Sequence, residues 1–374
     1  MNTAVEIIRR EIAGHGVLSF ARFMELALYC PNSGYYETKK DNPGRRGDFY
    51  TSVSVGEVFG QLLAFQFAEW LDDPSPATHH WSPCLIEAGA HDGQLARDIL
   101  AWLQLLRPTL FERIEYHIVE SSARRREWQE ETLKPFGARV HWFSDWKSLA
   151  HATGRALLHA VIFSNELLDA MPVRRFGWDA KTRVWFEWGV ACEGDKFVWA
   201  KIPDHQSSII NHQLNLPSSL LDALPDGYII ETCAAAENWW REAAGILGRG
   251  RLMTMDYGLS NDELFSPGRT RGTLRAYSRH RISDDPLAYA GEQDLTAHVN
   301  FSVIQSVGEA CGLNTETFST QAQFLTRIAE KIFKNPNSFG EWGARQTRQF
   351  QTLTHPEHLG QTFRVLVQFT SGAP

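Results

Sequence analysis

The sequence predicts an α/β protein with a mostly parallel β-sheet and helices packed on its faces. From residue 84 onwards, short apolar segments alternate with segments of helical periodicity, and this alternation is typical of a parallel sheet. Two strand-like segments near the C-terminus, 314–320 and 363–370, break the alternation. We therefore expect an antiparallel strand to close an otherwise parallel sheet.

Composition and charge limit the class of protein. The chain has 374 residues, of which 43% are hydrophobic, and its net charge is −7. A chain of this length can bury a large core and predicts roughly two to three domains, with one elaborated domain as the alternative. Its acidic balance argues against nucleic acid as the main partner.

The cysteines and the apolar segments give an expectation for the compartment. The five cysteines are scattered and include no CxxC pair, which favours reduced thiols over disulfides or a zinc site. No apolar run reaches the ~20 residues of a membrane span. Acidic residues interrupt the apolar positions of MNTAVEIIRREIAGHG, which fits neither a secretory nor a transit peptide. We therefore expect a cytoplasmic protein that does not bind membranes.

Turn residues and periodicity divide the chain into three parts. Residues 1–60 contain two helical segments and then the turn-rich stretch PNSGYYETKKDNPGRRGDFYTS. Residues 174–225 are interpreted as an insertion, because TRVWFEWG and DKFVWAKI alternate around CEGD as the strands of a β-hairpin do. A polar, proline-bounded stretch follows this hairpin. The remainder, 61–173 and 226–374, forms the main domain.

The first strand of the main domain leads into a glycine-containing turn. CLIEAGAHDGQLARDIL (84–100) has the pattern of a strand, a turn and a helix, and the turn region contains Glu87, Gly89 and Gly93. Glycine permits a positive φ and close approach of a ligand, and the helix start offers free N–H groups. The GxGxxG dinucleotide motif fails at two of its three glycines, and no GK[ST] of a P-loop follows.

The same turn fits another nucleotide cofactor better. S-adenosylmethionine sites use an acid followed by GxGxG, and this stretch departs from that pattern only at the middle glycine, where His91 stands. Glu87, Gly89 and Gly93 are therefore candidate cofactor-binding residues. The alternative is a plain connection between a strand and a helix.

Acidic side chains follow the other predicted strands. Glu120 comes after the second strand, where a carboxylate can accept hydrogen bonds from ribose hydroxyls. Asp145 comes after the third strand and is either a contact to an adenine amino group or a helix cap. Asn165 and Glu166 follow the fourth strand, Asp169 comes three residues later, and MDYG supplies an acid after the fifth. Since the carboxyl ends of parallel strands share one edge of a sheet, we expect a ligand site there.

Several segments together resemble one protein family. They are YCPNSGYY (29–36), GDFYTS (47–52), EAGAHDG (87–93), VESS (119–122), NELLDAMPV (165–173), MDYG (255–258), GTLRAYSRH (272–280) and GEQDLTAHVNF (291–301). Over nearly its whole length, the chain resembles the MidA-type S-adenosylmethionine-dependent methyltransferases. That family includes a mitochondrial complex I assembly factor that methylates a protein arginine.

The resemblance implies a fold, a cofactor and the residues that hold it. The implied fold is a Rossmann-like, seven-stranded methyltransferase sheet with an N-terminal helical segment, and the implied cofactor is S-adenosylmethionine. By resemblance, Gly89, Gly93 and Glu120 hold the cofactor. The GDFYTS loop, which includes Thr51 and Ser52, would then act as a lid that closes over it.

The resemblance also implies a catalytic motif and a protein substrate. Asn165, Glu166 and Asp169 match the family's NExxD motif beside the transferring methyl group. A carboxylate can hold a planar guanidinium through two parallel hydrogen bonds. We therefore expect Glu166, with Asp169 as second choice, to orient an arginine of a protein partner. His280 and His298 are candidates for general bases or substrate contacts, and we assign no metal because neither has the spacing of a metal ligand.

Two departures from the family pattern leave alternatives open. His91 stands where the family has glycine, and Val53 and Ser54 stand where a Pro-Glu pair is usual. One alternative is a methyltransferase that acts on a different acceptor. The other is a non-catalytic assembly or binding protein with a degenerate cofactor pocket.

Overall fold

The computed structural model of the chain describes residues 3–38, 51–72, 83–154, 157–203, 218–266, 268–278 and 281–370. These residues belong to two compact units. Unit 1 comprises Met1–Asn42, Asp169–Asn238 and Gly258–Ile304, and unit 2 comprises Pro43–Leu168, Trp239–Tyr257 and Gln305–Pro374.

The described helices are α1 (Ala4–His15), α2 (Phe20–Tyr29), α3 (Tyr35–Thr38), α4 (Ser52–Val55), α5 (Val58–Leu71), α6 (Gln94–Leu106), α7 (Pro108–Arg113), α8 (Ala123–Leu133), α9 (Trp146–Ala152), α10 (Ser218–Ala223), α11 (Ala234–Ile246), α12 (Asn261–Leu264), α13 (Phe301–Ala310), α14 (Gln321–Lys334) and α15 (Ala344–Thr354). The described strands are β1 (Leu18–Ser19), β2 (Cys84–Ala88), β3 (Glu115–Val119), β4 (Val140–Phe143), β5 (Leu158–Asn165), β6 (Arg174–Asp179), β7 (Val184–Glu193), β8 (Lys196–Lys201), β9 (Ile229–Thr232), β10 (Leu247–Leu259), β11 (Arg275–Ser278), β12 (Arg281–Ser283), β13 (Asp294–Thr296), β14 (Val299–Asn300), β15 (Asn314–Thr320) and β16 (Phe363–Thr370).

Unit 2 contains the predicted sheet. Its strands lie in the order β15-β16-β10-β5-β2-β3-β4. The five strands from β10 to β4 run parallel to one another, while β16 pairs antiparallel with both β10 and β15. The predicted fold class, a mostly parallel sheet with an antiparallel closing strand, is confirmed. The carboxyl ends of the parallel strands lie at one edge, where ligands bind in such sheets.

The helices of unit 2 pack as their apolar patterns predict. α5 is apolar on nearly every face, which is typical of a buried helix, and its Phe67 lies against Phe163 of β5 with ring centroids 4.9 Å apart. α6 is amphipathic instead, and it buries Leu95, Ile99 and Leu103. Both helices contribute to one large apolar core, which supports the sheet edge.

β10 begins earlier than its sequence suggests. The sequence predicts a strand over 251–258, but β10 starts at Leu247, directly after α11. Gly250 within it has a φ of 125°, and a Cβ there would lie 1.9 Å from the carbonyl oxygen of Ala160 on β5. The glycine therefore marks a close approach of two backbones and not the end of a strand.

Unit 1 is built around an antiparallel sheet of its own. The strands lie in the order β1-β7-β6-β9, and β8 pairs with β7. β7 and β8 form the predicted hairpin, and Trp185 of β7 is buried with its ring centroid 5.1 Å from that of Trp178 on β6. A small sheet, β12-β11-β13, is not predicted by the sequence.

Some expectations remain open. The predicted domains (1–60, 61–173 with 226–374, and 174–225) stay a prediction, because compactness does not test whether a segment folds alone. Positions 204–217 of the insertion and 47–50 of the lid loop lie outside the described residues. Within the described part of the chain, every helix is too short or too polar to cross a membrane.

Candidate active site

The turn after β2 has the backbone shape that the sequence predicts. Gly89 and Gly93 adopt positive φ angles of 73° and 84°, and α6 begins directly after Gly93. A Cβ at Gly89 would lie 2.7 Å from Cδ1 of Leu167, on the segment that follows β5. The absence of a side chain therefore lets that segment pack closely on the turn.

His91 adopts a conformation in this turn that usually requires glycine. Its φ is 46°, in the left-handed region that other residues rarely adopt. The carbonyl oxygen of His91 accepts a hydrogen bond from Nε2 of Gln129 at 3.0 Å. The imidazole Nδ1 lies 3.8 Å from Oδ1 of Asp92, and the ring centroid is 6.1 Å from that of Trp128. The backbone of the turn thus accommodates the departure from the family's glycine.

Glu87, a predicted cofactor contact, is buried on β2. Its Oε2 accepts a hydrogen bond from the hydroxyl of Tyr116 on β3 at 2.6 Å. Burial raises the pKa of Glu87 to about 7, although the hydrogen bond from Tyr116 opposes the shift. The observed partner belongs to the neighbouring strand, and a contact to the cofactor stays a prediction.

Glu120 lies directly after β3 in a network of donors. Its Oε1 accepts from the backbone N–H of Ser122 at 2.9 Å and from Nη2 of Arg125 at 2.8 Å. Its Oε2 accepts from Nε2 of Gln129 at 3.2 Å. The side chains of the ion pair are only 12% exposed for Arg125 and 2% exposed for Glu120. A carboxylate has about four acceptor positions, so capacity remains for a ribose hydroxyl.

Gln129 connects these elements, although the sequence pattern gives no sign of it. Its Nε2 donates to the carbonyl oxygen of His91 and to Glu120, and its Oε1 accepts from Nε1 of Trp142 at 3.0 Å. This buried amide therefore links the chain segments at the ends of β2, β3 and β4. It lies within the charged stretch ARRREWQEETL, which contains no pattern that marks an inward-facing polar side chain.

Asp145 caps a helix. Its Oδ1 accepts from the backbone N–H of Ser148 at 2.7 Å at the start of α9. This hydrogen bond holds the pKa of Asp145 below its usual range. The helix cap is one of the two interpretations that the sequence leaves open, and the contact to an adenine amino group stays a prediction.

Asn165 and Glu166 lie at the end of β5 and interact with each other. Oε1 of Glu166 accepts from Nδ2 of Asn165 at 2.9 Å and from the backbone N–H of Ser52 at 3.0 Å. No donor within the described part of the chain reaches Oε2 of Glu166 or Oδ1 of Asn165. Burial raises the pKa of Glu166 to about 8, and the negative charge of Asp256 adds to this shift.

Thr51 and Ser52 lie at the start of α4. Besides its N–H bond to Glu166, Ser52 donates its hydroxyl to Oε1 of Gln321 at 2.9 Å. Ser54 stands at one of the positions that depart from the family pattern, and it forms a capping box with Thr51. The departure therefore has a structural role in this chain, because it satisfies the first amides of the helix.

Asp169, the third residue of the predicted catalytic motif, begins unit 1. Its backbone carbonyl oxygen accepts from the N–H of Ala297 at 2.9 Å. Burial raises the pKa of Tyr36 well above its usual range, and the charges of Asp294 and Asp169 add to this shift. The hydroxyl of Tyr36 donates to Oδ1 of Asp294 at 2.7 Å. These contacts of Asp169 are made within unit 1, and its catalytic role stays a prediction.

The two histidines singled out by the sequence have different outcomes. His280 lies outside the described residues. His298 donates its backbone N–H to Oγ1 of Thr273 at 3.1 Å, in unit 1. Burial lowers the pKa of His298 to about 4, and the charges of Arg269 and Arg275 contribute to this shift. The imidazole is therefore neutral at physiological pH, and a role in catalysis stays a prediction.

Asp256 has a larger role than the sequence suggests. The sequence shows it only as one of several strand-end acids, but the structure buries it completely on β10. Its Oδ2 accepts from the backbone N–H groups of Leu167 at 3.0 Å and Leu168 at 2.7 Å. Its Oδ1 accepts from the N–H of Tyr257 at 2.8 Å. Asp256 therefore fixes the segment that follows Glu166.

Comparisons with known proteins bear on this site. Residues 62–319 match the family described as S-adenosyl-L-methionine-dependent methyltransferases. The mitochondrial protein arginine methyltransferase NDUFAF7 of Mus musculus is 28% identical, over 94% of this chain and 81% of that protein. The Danio rerio protein of the same name is 25% identical, over 95% of this chain and 84% of that protein.

A solved structure is similar in both sequence and fold. A protein from Burkholderia thailandensis, crystallised with bound S-adenosyl-homocysteine, is 31% identical to this chain. The two structures superpose with a TM-score of 0.81, and the match covers 99% of this chain and 92% of that one.

The comparisons correct one expectation. The prediction of a cytoplasmic protein is wrong, because the curated relatives are named as mitochondrial proteins. That prediction depended on scattered, unpaired cysteines and on the N-terminal pattern. Reduced thiols exclude an oxidising compartment, but they do not distinguish among compartments that keep thiols reduced.

Proposed function

The chain belongs to the family of S-adenosylmethionine-dependent methyltransferases, and from this premise we propose that it methylates an arginine side chain of a protein partner. The resemblance to the MidA-type family is confirmed, and S-adenosylmethionine is the cofactor. Two findings support arginine as the acceptor. The relatives are named protein arginine methyltransferases, and Glu166 offers a carboxylate oxygen at the end of β5.

The residues after β2 and β3 fit the cofactor. Gly89 keeps the turn narrow enough for Leu167 to pack on it, and Gly93 turns the chain into α6, where the first amides favour an anionic group such as a carboxylate. Glu120 would accept the ribose hydroxyls through the capacity that its described donors leave. Thr51 and Ser52 would lie over the bound cofactor. When bound, S-adenosylmethionine supplies a methyl group on a positively charged sulfur, so the protein's contribution is to bind and orient the two reactants.

Glu87 and Asp145 have weaker support as cofactor residues. One oxygen of Glu87 is already bonded to Tyr116, so only its other oxygen would be available to the cofactor. The carboxylate of Asp145 would have to bind an adenine amino group while it also caps α9. Both roles are within the acceptor capacity of a carboxylate.

The arrangement around Glu166 carries the proposal for the acceptor. Both described hydrogen bonds, from Asn165 and Ser52, reach the same oxygen, Oε1. Oε2 thus remains open to a donor, and the buried Oδ1 of the neighbouring Asn165 is a second acceptor without a partner among the described residues. A guanidinium presents parallel N–H donors that suit such a set of oxygens. The carboxylate would draw positive charge toward the nitrogens that it holds and leave the remaining nitrogen better able to attack the methyl group.

Two measurements test the proposal. The first is calorimetric titration of S-adenosyl-homocysteine into the wild-type protein, Glu120→Ala and Glu112→Ala. Glu112 is exposed, so Glu112→Ala changes the net charge of the protein by the same amount as Glu120→Ala but leaves the candidate site intact. We expect micromolar binding that is lost only in Glu120→Ala. Absence of binding to well-folded wild-type protein would favour the assembly-protein alternative.

The second measurement identifies the acceptor. The protein is incubated with S-adenosylmethionine labelled in its methyl group and with candidate protein substrates, and the labelled amino acid is then identified after complete hydrolysis. We expect methylarginine, and we expect Glu166→Gln to bind S-adenosyl-homocysteine normally while losing transfer. Label on any other amino acid would contradict arginine as the acceptor and support the alternative acceptor.

A further inference from the structure

We propose that Asp256 is the positioning residue that holds Glu166 in its acceptor-binding conformation, an inference that rests on the proposed function. The two amides that bind Oδ2 of Asp256 belong to Leu167 and Leu168, which directly follow Glu166. On the other side, the N–H of Glu166 donates to the carbonyl oxygen of Met255 at 2.9 Å. Consecutive residues of β10 therefore hold the chain on both sides of Glu166.

Glu166 depends on external support because its backbone is in an unfavourable region. Its φ is 54°, and a non-glycine residue persists there only where the surroundings determine its conformation. The side chain is held as well, since Asn165 and Ser52 both donate to Oε1. The side-chain bonds direct the carboxyl group, whereas Asp256 fixes the backbone from which that group extends.

The same carboxylate also positions a contact to the cofactor turn. Leu167, whose amide binds Asp256, is the residue whose Cδ1 would meet a Cβ at Gly89. Asp256 therefore fixes two adjacent residues with different functions. Leu167 packs on the turn that we propose for the cofactor, and Glu166 carries the oxygen that we propose for the acceptor.

The hydrogen bonds explain why this residue is an aspartate. Three N–H donors converge on its two oxygens, so both oxygens must be acceptors. An asparagine has one acceptor oxygen and one NH₂ group, which would face an N–H donor at one of the two positions. Asp256→Asn keeps nearly the same shape but must lose at least one of the three bonds.

Amide hydrogen exchange followed by NMR tests the positioning role directly. In Asp256→Asn, we expect the amides of Leu167 and Leu168 to exchange about tenfold faster than in the wild type, since an NH₂ group at the Oδ2 position removes both bonds and an oxygen there replaces a charged acceptor by a neutral one. Thr254→Val is the matched control. Thr254 lies two residues earlier on β10 and hydrogen-bonds to Ser164 at 2.9 Å, so its substitution perturbs the same strand pair and should leave both amides protected.

A second readout follows the carboxyl group of Glu166. Its titration can be observed in protein labelled with ¹³C-glutamate, with Glu166→Gln to assign the signal. The charge of Asp256 helps to raise the pKa of Glu166 to about 8, so Asp256→Asn should lower that pKa, whereas Thr254→Val should not. This readout reports the electrostatic contact between the two carboxyl groups, while the exchange of the Leu167 and Leu168 amides tests the positioning of the backbone. Far-UV circular dichroism and urea unfolding confirm that each variant is folded.

The proposal is also testable without any variant. In the wild-type protein, the amides of Leu167 and Leu168 should resist exchange as well as the paired amides of β10 do. Rapid exchange of these two amides in the wild type would overturn the positioning role. So would an Asp256→Asn variant in which the exchange rates of both amides and the pKa of Glu166 are the same as in the wild type. None of these readouts uses a methyl acceptor, so a failure to methylate arginine would count against the proposed function alone.

Discussion

The affinity of the protein for a cationic acceptor, which we propose Glu166 to bind, should decrease as the pH falls below 8. Burial raises the pKa of this carboxyl group to about 8. At pH 7, one unit below that value, only about one molecule in eleven has an ionised carboxylate. If only this form binds a guanidinium, the apparent affinity at pH 7 is about 11-fold below its limit at high pH, which corresponds to about 1.4 kcal/mol.

The sign of the effect follows from the two protonation states. The free protein favours the protonated carboxyl group, and a cationic acceptor favours the ionised one. Binding therefore releases a proton, and affinity rises with pH. Arginine remains charged throughout this range, so protonation of the acceptor does not contribute to the pH dependence of the affinity. We expect kcat/KM for the acceptor to rise about tenfold per pH unit below pH 7 and to level off above pH 8.

Initial rates of methyl transfer between pH 6 and 9, at saturating S-adenosylmethionine, would measure this profile. Glu166→Gln should lose the slope and about 10- to 100-fold in kcat/KM, because a hydrogen bond to a charged group contributes about 1.5–3 kcal/mol. Glu242→Gln, at an exposed carboxylate on α11, should keep both the slope and the rate. A flat wild-type profile, or an unchanged slope in Glu166→Gln, would refute the assignment.

Three further predictions concern stability. Gly89→Ala should destabilise the protein by about 1–2 kcal/mol more than Gly154→Ala in urea unfolding, because both glycines have positive φ but only Gly89 has a side chain within 4 Å of the added Cβ; equal losses would show that the contact is unimportant. Arg125→Ala should lower the unfolding free energy by about 3 kcal/mol, since it leaves the buried carboxylate of Glu120 without its cation; a loss below about 1 kcal/mol would mean that water replaces the arginine. Glu87→Gln should change how stability depends on pH. Burial raises the pKa of Glu87 from 4.5 to about 7, so its protonated form stabilises the fold below pH 4.5 and this contribution is lost as the pH rises through 7. A glutamine side chain does not titrate, so the variant does not lose this contribution. Its free energy of unfolding relative to that of the wild type should therefore rise by about 3 kcal/mol between pH 4.5 and 8.5. If the difference in unfolding free energy between variant and wild type is the same across that range, Glu87 does not titrate with a raised pKa in the folded protein.

The location of the site follows from patterns that are local in the sequence. An apolar run that ends in Gly89 and Gly93 predicts a strand, a turn and a helix. A strand followed by an acid, as at Glu120 and Glu166, predicts a carboxylate at the edge of the sheet. Each of these signals depends on a few adjacent residues, and the parallel sheet then brings them to the same edge. Both the local patterns and their meeting at one edge of the sheet can therefore be predicted from the sequence alone.

The partners of those carboxylates could not be predicted in this way. Gln129 lies among charged residues on α8, and only the packing of that helix shows that its amide faces inward. Asp256 looks like any acid at a strand end, and two of its three bonds depend on the path of a segment about 90 residues earlier in the chain. Asp145 illustrates the same limit, because its sequence allows both a helix cap and a ligand contact. A short polar side chain carries too little local information to decide among such partners.

The small sheet of unit 1 shows a limit of a different kind. β11, β12 and β13 are only three to four residues long, and strands of this length show too few alternating positions to stand out from loop sequence. Their pairing becomes visible only when the three segments are brought together in space. The resemblance to the family marks the segments of β11 and β13 as distinctive without indicating their secondary structure.

If Glu166 binds a cationic acceptor as proposed, the hydrogen bond that it accepts from the amide of Ser52 would respond to the charge of the bound ligand. Bonds to an ionised carboxylate are roughly twice as strong as bonds to a neutral one. A cationic ligand that ionises Glu166 would therefore tighten the attachment of α4, and a neutral ligand of the same shape would leave it loose. The protection of a single amide would then distinguish an arginine from its uncharged analogue citrulline, even where both enter the site.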